Sequence, residues 1–295
     1  MISKINIQPI MLILCFMQTI WAIGSYEILN LPQDPRSLSL SNTSDAFGSA
    51  YFQNNPASIS MSMANNRYSF LRLPANIYSF EIQKKFIKNN NAYIGKIAYL
   101  NYGKITDSET NEVNSAFEIF LEGIYKKEIK NILSMGVSTG YIFSSIAGFH
   151  SNILITNVGF RTRILRNKMG LGISIENIEL FNNGYTDIKE NLPSIIRYSL
   201  YYKTRYIPIV INFNYINKIY AKAFAVGIEY FFTDNLILRI GINDKRNEFL
   251  NGDFASDFLA AVSGGVGLKI KQINVNVGFM NLGSAGYILG FSLSK

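Results

Sequence analysis

From Arg67 onward, large apolar residues recur at every second position over most of the chain. In the stretch 224–232 one parity carries Phe224, Val226, Ile228, Tyr230 and Phe232, and the other Ala225, Gly227, Glu229 and Phe231. Ile273, Val275, Val277 and Phe279 alternate with Asn274, Asn276 and Gly278, and the same pattern runs through 133–141, 169–175 and 262–268. A period of two is the mark of strands with unlike faces. The face opposite the apolar one is mostly Gly, Ser and Asn. A soluble sandwich would place its large residues in the core and Lys, Glu and Thr outside. Small neutral residues opposite a continuous apolar face instead imply a lipid-facing exterior and an interior of polar contacts and close backbones.

About fourteen such segments can be bracketed, with cores at 67–73, 77–86, 92–101, 116–125, 131–143, 153–165, 168–178, 195–204, 208–216, 223–232, 235–242, 260–270, 273–280 and 286–293. Their lengths suit tilted membrane strands of roughly 9–11 residues. The connections alternate between short ones (89–91, 126–130, 166–168, 205–207, 233–235, 271–272) and longer ones (102–115, 144–152, 179–194, 217–222, 243–259, 281–285). Leu73-Pro74-Ala75-Asn76 is a tight exception on the long side. Outer-membrane barrels pair tight periplasmic turns with longer outer loops. The fold expected is all-β: a transmembrane antiparallel β-barrel of about fourteen strands spanning 67–295, preceded by an N-terminal segment.

Charge divides along the same line. Lys84, Lys85, Lys88, Lys126, Lys127, Lys130, Arg166, Lys168, Lys203, Arg205, Lys269 and Lys271 lie at or beside the short turns, against Glu128 and Asp234. The long connections hold Asp107, Glu109, Glu112, Glu179, Asp187, Glu190, Asp244, Glu248, Asp253 and Asp257. The formal net charge of +8 is thus a periplasmic basic rim, fitted to lipid phosphates or a protein at that rim and not clustered as in nucleic-acid binders. Hydrophobic residues make up 48% of the chain and charged ones 16%, below the roughly 25% of an ordinary globular domain.

Residues 1–24 read as a signal peptide: Lys4, then a largely apolar Ile10 to Ile20, then Ala22-Ile23-Gly24. The apolar run is too short to span a bilayer. Cleavage after Gly24 would remove Cys15, the one cysteine, leaving no thiol chemistry. Export through such a peptide is consistent with the bacterial outer membrane. The stretch 25–66 does not alternate, and Pro32, Pro35 and Pro56 limit strand pairing. Its Ile28, Leu29, Leu31, Leu38, Leu40 and Phe47 are out of character for a disordered arm. A plug folded into the lumen is the expectation.

Nothing points to catalysis. His150 is the single histidine, read as a loop residue, and without a mature cysteine neither a zinc site nor a Cys/His dyad can be assembled. Gly264-Gly265-Val266-Gly267 lies in a strand and lacks the helix of a phosphate loop. Glu118 and Glu122 share a parity and are expected to face the lumen; no Asp-x-Asp-x-Asp calcium loop occurs. No enzyme, cofactor or metal is expected.

The N-terminal motifs Tyr26 to Pro32, Arg36-Ser37-Leu38-Ser39-Leu40, Asp45 and Asn55-Pro56-Ala57, with Leu192-Pro193 and the final 286–293 segment, resemble the PorV/PorQ family of outer-membrane proteins, related to FadL-like barrels. Relatives often have Gly-Gly where this chain has Ser41-Asn42. The resemblance implies a fourteen-stranded barrel with an N-terminal plug in which Arg36, Asp45, Asn55 and Pro56 are structural. It further implies a scaffold or anchor role in a type IX secretion system, with other secretion proteins at the rims. The alternative is a FadL-like transporter holding a hydrophobic small molecule in its lumen.

Overall fold

The computed structural model describes residues 26–32, 34–48, 54–61, 65–106, 113–129, 132–185, 192, 194–218, 221–244 and 260–295. The expected signal peptide (1–24) and Lys130 lie outside the described residues.

Fourteen strands form one sheet: β1 (Asn66–Arg72), β2 (Tyr78–Lys88), β3 (Asn91–Thr106), β4 (Val113–Ile129), β5 (Leu133–Ile146), β6 (Phe149–Ile164), β7 (Met169–Asn183), β8 (Ile195–Lys203), β9 (Ile209–Lys218), β10 (Ala221–Phe231), β11 (Leu236–Asn243), β12 (Val262–Ile270), β13 (Ile273–Asn281) and β14 (Tyr287–Ser294). Each strand pairs antiparallel with its sequence neighbours, and β1 pairs with β14, so the sheet closes on itself. The seam runs from Arg67 opposite Ser294 to Arg72 opposite Leu289, and Lys295 O accepts from Asn65 N and Asn66 N at 2.8 and 2.9 Å. Closure gives every strand a partner on both sides, as a lipid environment requires.

The parity of the sequence sets the two faces. On β1, Arg67 and Ser69 are 1% and 3% exposed and point inward, while Tyr68 and Phe70 are 51% and 42% exposed and point outward. The same alternation places Phe224, Val226, Val277, Phe279, Leu289 and Phe291 outside and Glu229, Asn276 and Ser292 inside. The apolar parity therefore coats the exterior of a ring and is not the core of a sandwich. Between β2 and β3 the turn uses Asn89 and Asn90 at φ 49° and 61°, a two-residue connection needing left-handed residues, which Asn supplies readily.

The strands outrun the expectation on the long-connection side. β3 to β7 have 14 to 17 residues each. The expected 144–152 loop is only the Ala147-Gly148 turn, at φ 51° and 84°. His150 is accordingly on β6, opposite Ser145, with its ring stacked on Phe143 at 5.6 Å. Its strand was hidden because beyond the lipid band alternation no longer has to be apolar.

Candidate functional site

The N-terminal segment lies along the inner wall. Two Asx-Pro pairs give it its local shape. Asp34 caps the short helix α1 (Pro35–Ser39), accepting from Arg36 N at 2.7 Å and Ser37 N at 3.0 Å. Asn55 caps the 3-10 turn Pro56–Ser58, accepting from Ala57 N at 2.9 Å. In each case proline fills the first helical position, where a missing N–H costs nothing. Between them Ser41 and Asn42 sit at φ 49° and 63°. This is the left-handed region, which glycine and asparagine enter most readily.

All four residues of the expected plug motif meet the wall. Arg36 donates from Nε and Nη2 to the two carboxylate oxygens of Glu229 on β10, at 3.0 and 2.6 Å. Burial draws its pKa down, but the Glu229 carboxylate outweighs it and the net direction is upward. Glu229 also accepts from Arg239 Nε on β11 at 3.0 Å. Asp45 accepts from Asn214 Nδ2 on β9 at 2.6 Å and lies 3.8 Å from Arg197 Nε on β8. Burial is the main cause raising the Asp45 pKa, with Arg197 opposing and Glu176 adding. Asn55 Nδ2 donates to the carbonyls of Phe160 on β6 and Ile173 on β7, at 3.1 and 3.2 Å. Pro56 lies over Gly136 on β5, whose missing Cβ leaves room for its carbonyl.

Gly159 faces Asn55, Gly227 and Gly241 face Leu40, Gly265 faces Ser39, and Gly278 faces Pro35; a methyl group on any of them would overlap the segment. The Gly-rich parity of the wall is thus a track for close backbone approach.

The rest of the lumen is built from charge pairs that periodicity alone did not single out. Lys96 Nζ meets Glu122 at 2.5 Å, Arg197 holds Glu176 through Nε at 2.8 Å and Nη2 at 2.9 Å, and Arg67 bridges Asp34 at 2.7 Å and Glu81. Arg161 donates to the carbonyls of Ala46 and Phe47, both at 2.6 Å. Their signal was a charged residue on the small-residue parity of a strand. Glu118 and Glu122 do face inward and have separate partners: Glu118 accepts from Tyr102 Oη at 2.8 Å and Ile28 N at 2.9 Å, and Glu122 pairs with Lys96. No cluster suited to a metal occurs among the described residues.

Of the expected rim, Lys84, Lys88, Lys127, Arg166, Lys168, Arg205 and Lys271 are exposed at the short-turn end. Lys85 and Lys126 depart from that set. Their strand parity turns them inward, where Lys85 Nζ donates to Ser60 O at 2.9 Å and Lys126 Nζ to Ile59 O.

Two regions of the lumen differ in character. Toward the short turns a cavity of about 370 Å³ is lined by Arg36, Phe47, Arg67, Glu229, Arg239 and Asn276. Toward the long connections, buried Leu100, Phe120, Ile142, Ile153 and Ile155 of the wall enclose Tyr26 and Ile28. Beside this cluster, a space of about 10 Å³ between Ile28, Phe120, Ser69, Ser79 and Lys96 holds no more than one water.

These features define a closed fourteen-stranded antiparallel barrel with an apolar exterior, the architecture of transmembrane β-barrels. No family model and no curated protein matches the chain. Among solved structures, the toluene transporter TbuX of Ralstonia pickettii aligns at TM-score 0.62 with 10% identity, covering 90% of this chain and 98% of its own. The monoaromatic hydrocarbon channel CymD aligns at 0.61 and 10%, covering 88% and 95%. A Pseudomonas aeruginosa FadL homologue aligns at 0.51 and 10%, covering 90% and 98%. The chain shares the FadL-type barrel fold.

Proposed function

We propose that the chain resides in a bacterial outer membrane and passes small hydrophobic molecules through its barrel, without enzymatic activity. The observation carrying this reading is the apolar chamber at the long-connection end, larger than the other buried apolar clusters among the described residues, in a lumen rich in ion pairs and amides. Ile28 and Tyr26 fill that chamber, so the N-terminal segment acts as a plug whose upper end occupies the place of the solute. Solutes of toluene or fatty-acid character match the chamber's chemistry, and the solved structures of like fold include hydrocarbon transporters.

Proteoliposomes carrying the barrel should take up toluene or hexadecanoate faster than empty ones. Ile142→Asn should slow uptake about tenfold, the equivalent of losing one side chain's apolar contact. Flux no greater than that of empty liposomes would remove the reading.

A second reading is a plugged scaffold of a type IX secretion system, with partner proteins at the rims. It draws on the number of anchors holding the segment, from Arg36 to Lys126. Stoichiometric partners recovered with the barrel at moderate salt, together with absent flux, would favour it.

A further inference from the structure

We propose that the outer surface of β2 to β5 holds one anionic phospholipid of the leaflet at the short-turn end, its phosphate on Lys84, Lys88 and Lys127 and a chain in a groove over Gly95 and Gly123. The inference rests on the barrel being membrane-embedded.

Strand register arranges the outward residues there in rows. Nearest the turn, Lys88 and Lys127 flank Asn91. The next row is Phe86, Tyr93, Tyr125 and Val137, with the Tyr93 and Tyr125 rings 5.4 Å apart. The row after it is Lys84, Gly95, Gly123 and Thr139, and beyond it stand Ile82, Ile97, Leu121 and Tyr141. The glycine row, bounded on its turn side by Phe86, Tyr93, Tyr125 and Val137, leaves a shallow groove of about 460 Å³.

The two glycines stand apart from the others. The inward strand glycines lie against the N-terminal segment or lumen side chains, and outward Gly264 is covered by the Phe279 ring. A Cβ at Gly95 or Gly123 meets nothing within 4 Å. Neither close packing nor backbone conformation demands glycine there, although glycine weakens a strand interior.

Charge selects the occupant. Lys84 is level with the glycines, yet its Nζ turns back over the Phe86 ring, 5.1 Å from its centre, toward the two lysines of the turn row. A lysine on a lipid face that runs its ammonium toward the interface is snorkelling to a polar phase. Glu128, the nearby carboxylate of β4, is turned inward onto Lys126 and Arg163. Lys88 and Lys127 beneath an apolar groove, with Lys84 beside it reaching down over Phe86, complement a phosphate above which an acyl chain continues.

The test is native mass spectrometry of the full barrel, delipidated in detergent and titrated with phosphatidylglycerol or phosphatidylcholine. Wild type should retain one phosphatidylglycerol in preference to phosphatidylcholine. Lys84→Gln with Lys127→Gln should weaken retention by about fivefold per lysine. Gly123→Leu should displace the lipid while keeping the heat-modifiable band of a folded barrel. Lys168→Gln with Lys271→Gln, elsewhere on the rim, should retain it. Equal retention of both lipids, or undiminished retention in both the lysine and glycine variants, overturns the proposal. Absence of a heat-modifiable band in the wild type would instead sink the membrane reading beneath it.

Discussion

Arg36 and Glu229 meet through two parallel hydrogen bonds, 3.0 and 2.6 Å long, that tie helix α1 to strand β10. Glu229 is shared with Arg239, so the two partners are not equivalent. Removing Arg36 leaves Glu229 paired; removing Glu229 leaves two buried guanidiniums facing each other. Glu229→Ala should therefore cost about 3–5 kcal/mol, the range for a broken buried pair, and Arg36→Ala clearly less. Urea unfolding in detergent micelles measures both. Equal costs would mean that Arg239 does not share the carboxylate.

The inward and outward glycines make a second contrast. At Gly136 a side chain would run into the Pro56 backbone, while at Gly95 it enters open space. Gly136→Val should unseat the N-terminal segment and expose Arg36 to trypsin in the folded barrel. Gly95→Val should leave the cleavage pattern of the wild type. Unchanged protection of Arg36 in Gly136→Val would show that the segment does not lie where the wall glycines make room for it.

Asp45 gives the segment a pH dependence. Its pKa is raised, chiefly by burial, above the ordinary 3.8, so the docked form holds the proton more tightly than the free form. Docking is then most favourable with Asp45 protonated, and the advantage is lost as pH rises through the raised value. Trypsin protection of Arg36 should weaken from acidic toward neutral pH, and Asp45→Asn should flatten the profile. A profile that steepens in Asp45→Asn, or runs the other way, contradicts this assignment.

Strand positions were legible because lipid imposes one strict rule, an apolar residue every second position. The Ile273–Asn281 strand obeys it and lies within a residue of its expected bounds. Where lipid ends, the rule lapses, which is why 149–152 looked like a loop and His150 like a loop residue. The inward turn of Lys85 was present in the parity, since it shares a face with Glu81 and Gln83, but clustering beside a turn masked it. The fit of Asn55 to the carbonyls of Phe160 and Ile173 was not legible, because it joins residues over 100 positions apart and depends on backbone geometry. Neither the pairing of Arg161 with the Ala46 carbonyl nor the apolar chamber at Ile142 and Ile153 could be read before the ring was closed.

The central claim is that the exposed apolar parity faces hydrocarbon. Val277 is 52% exposed at mid-height of β13, between Val266 and Phe291, and Ile273 lies on the same face beside the short turn. The direct measurement is urea unfolding from phosphatidylcholine bilayers of Val277→Arg and Ile273→Arg. The expected result is a depth-dependent cost, about 2–4 kcal/mol at Val277 and about 0–1 kcal/mol at Ile273. Equal, near-zero costs at both positions would mean that this face meets water, and would contradict the account.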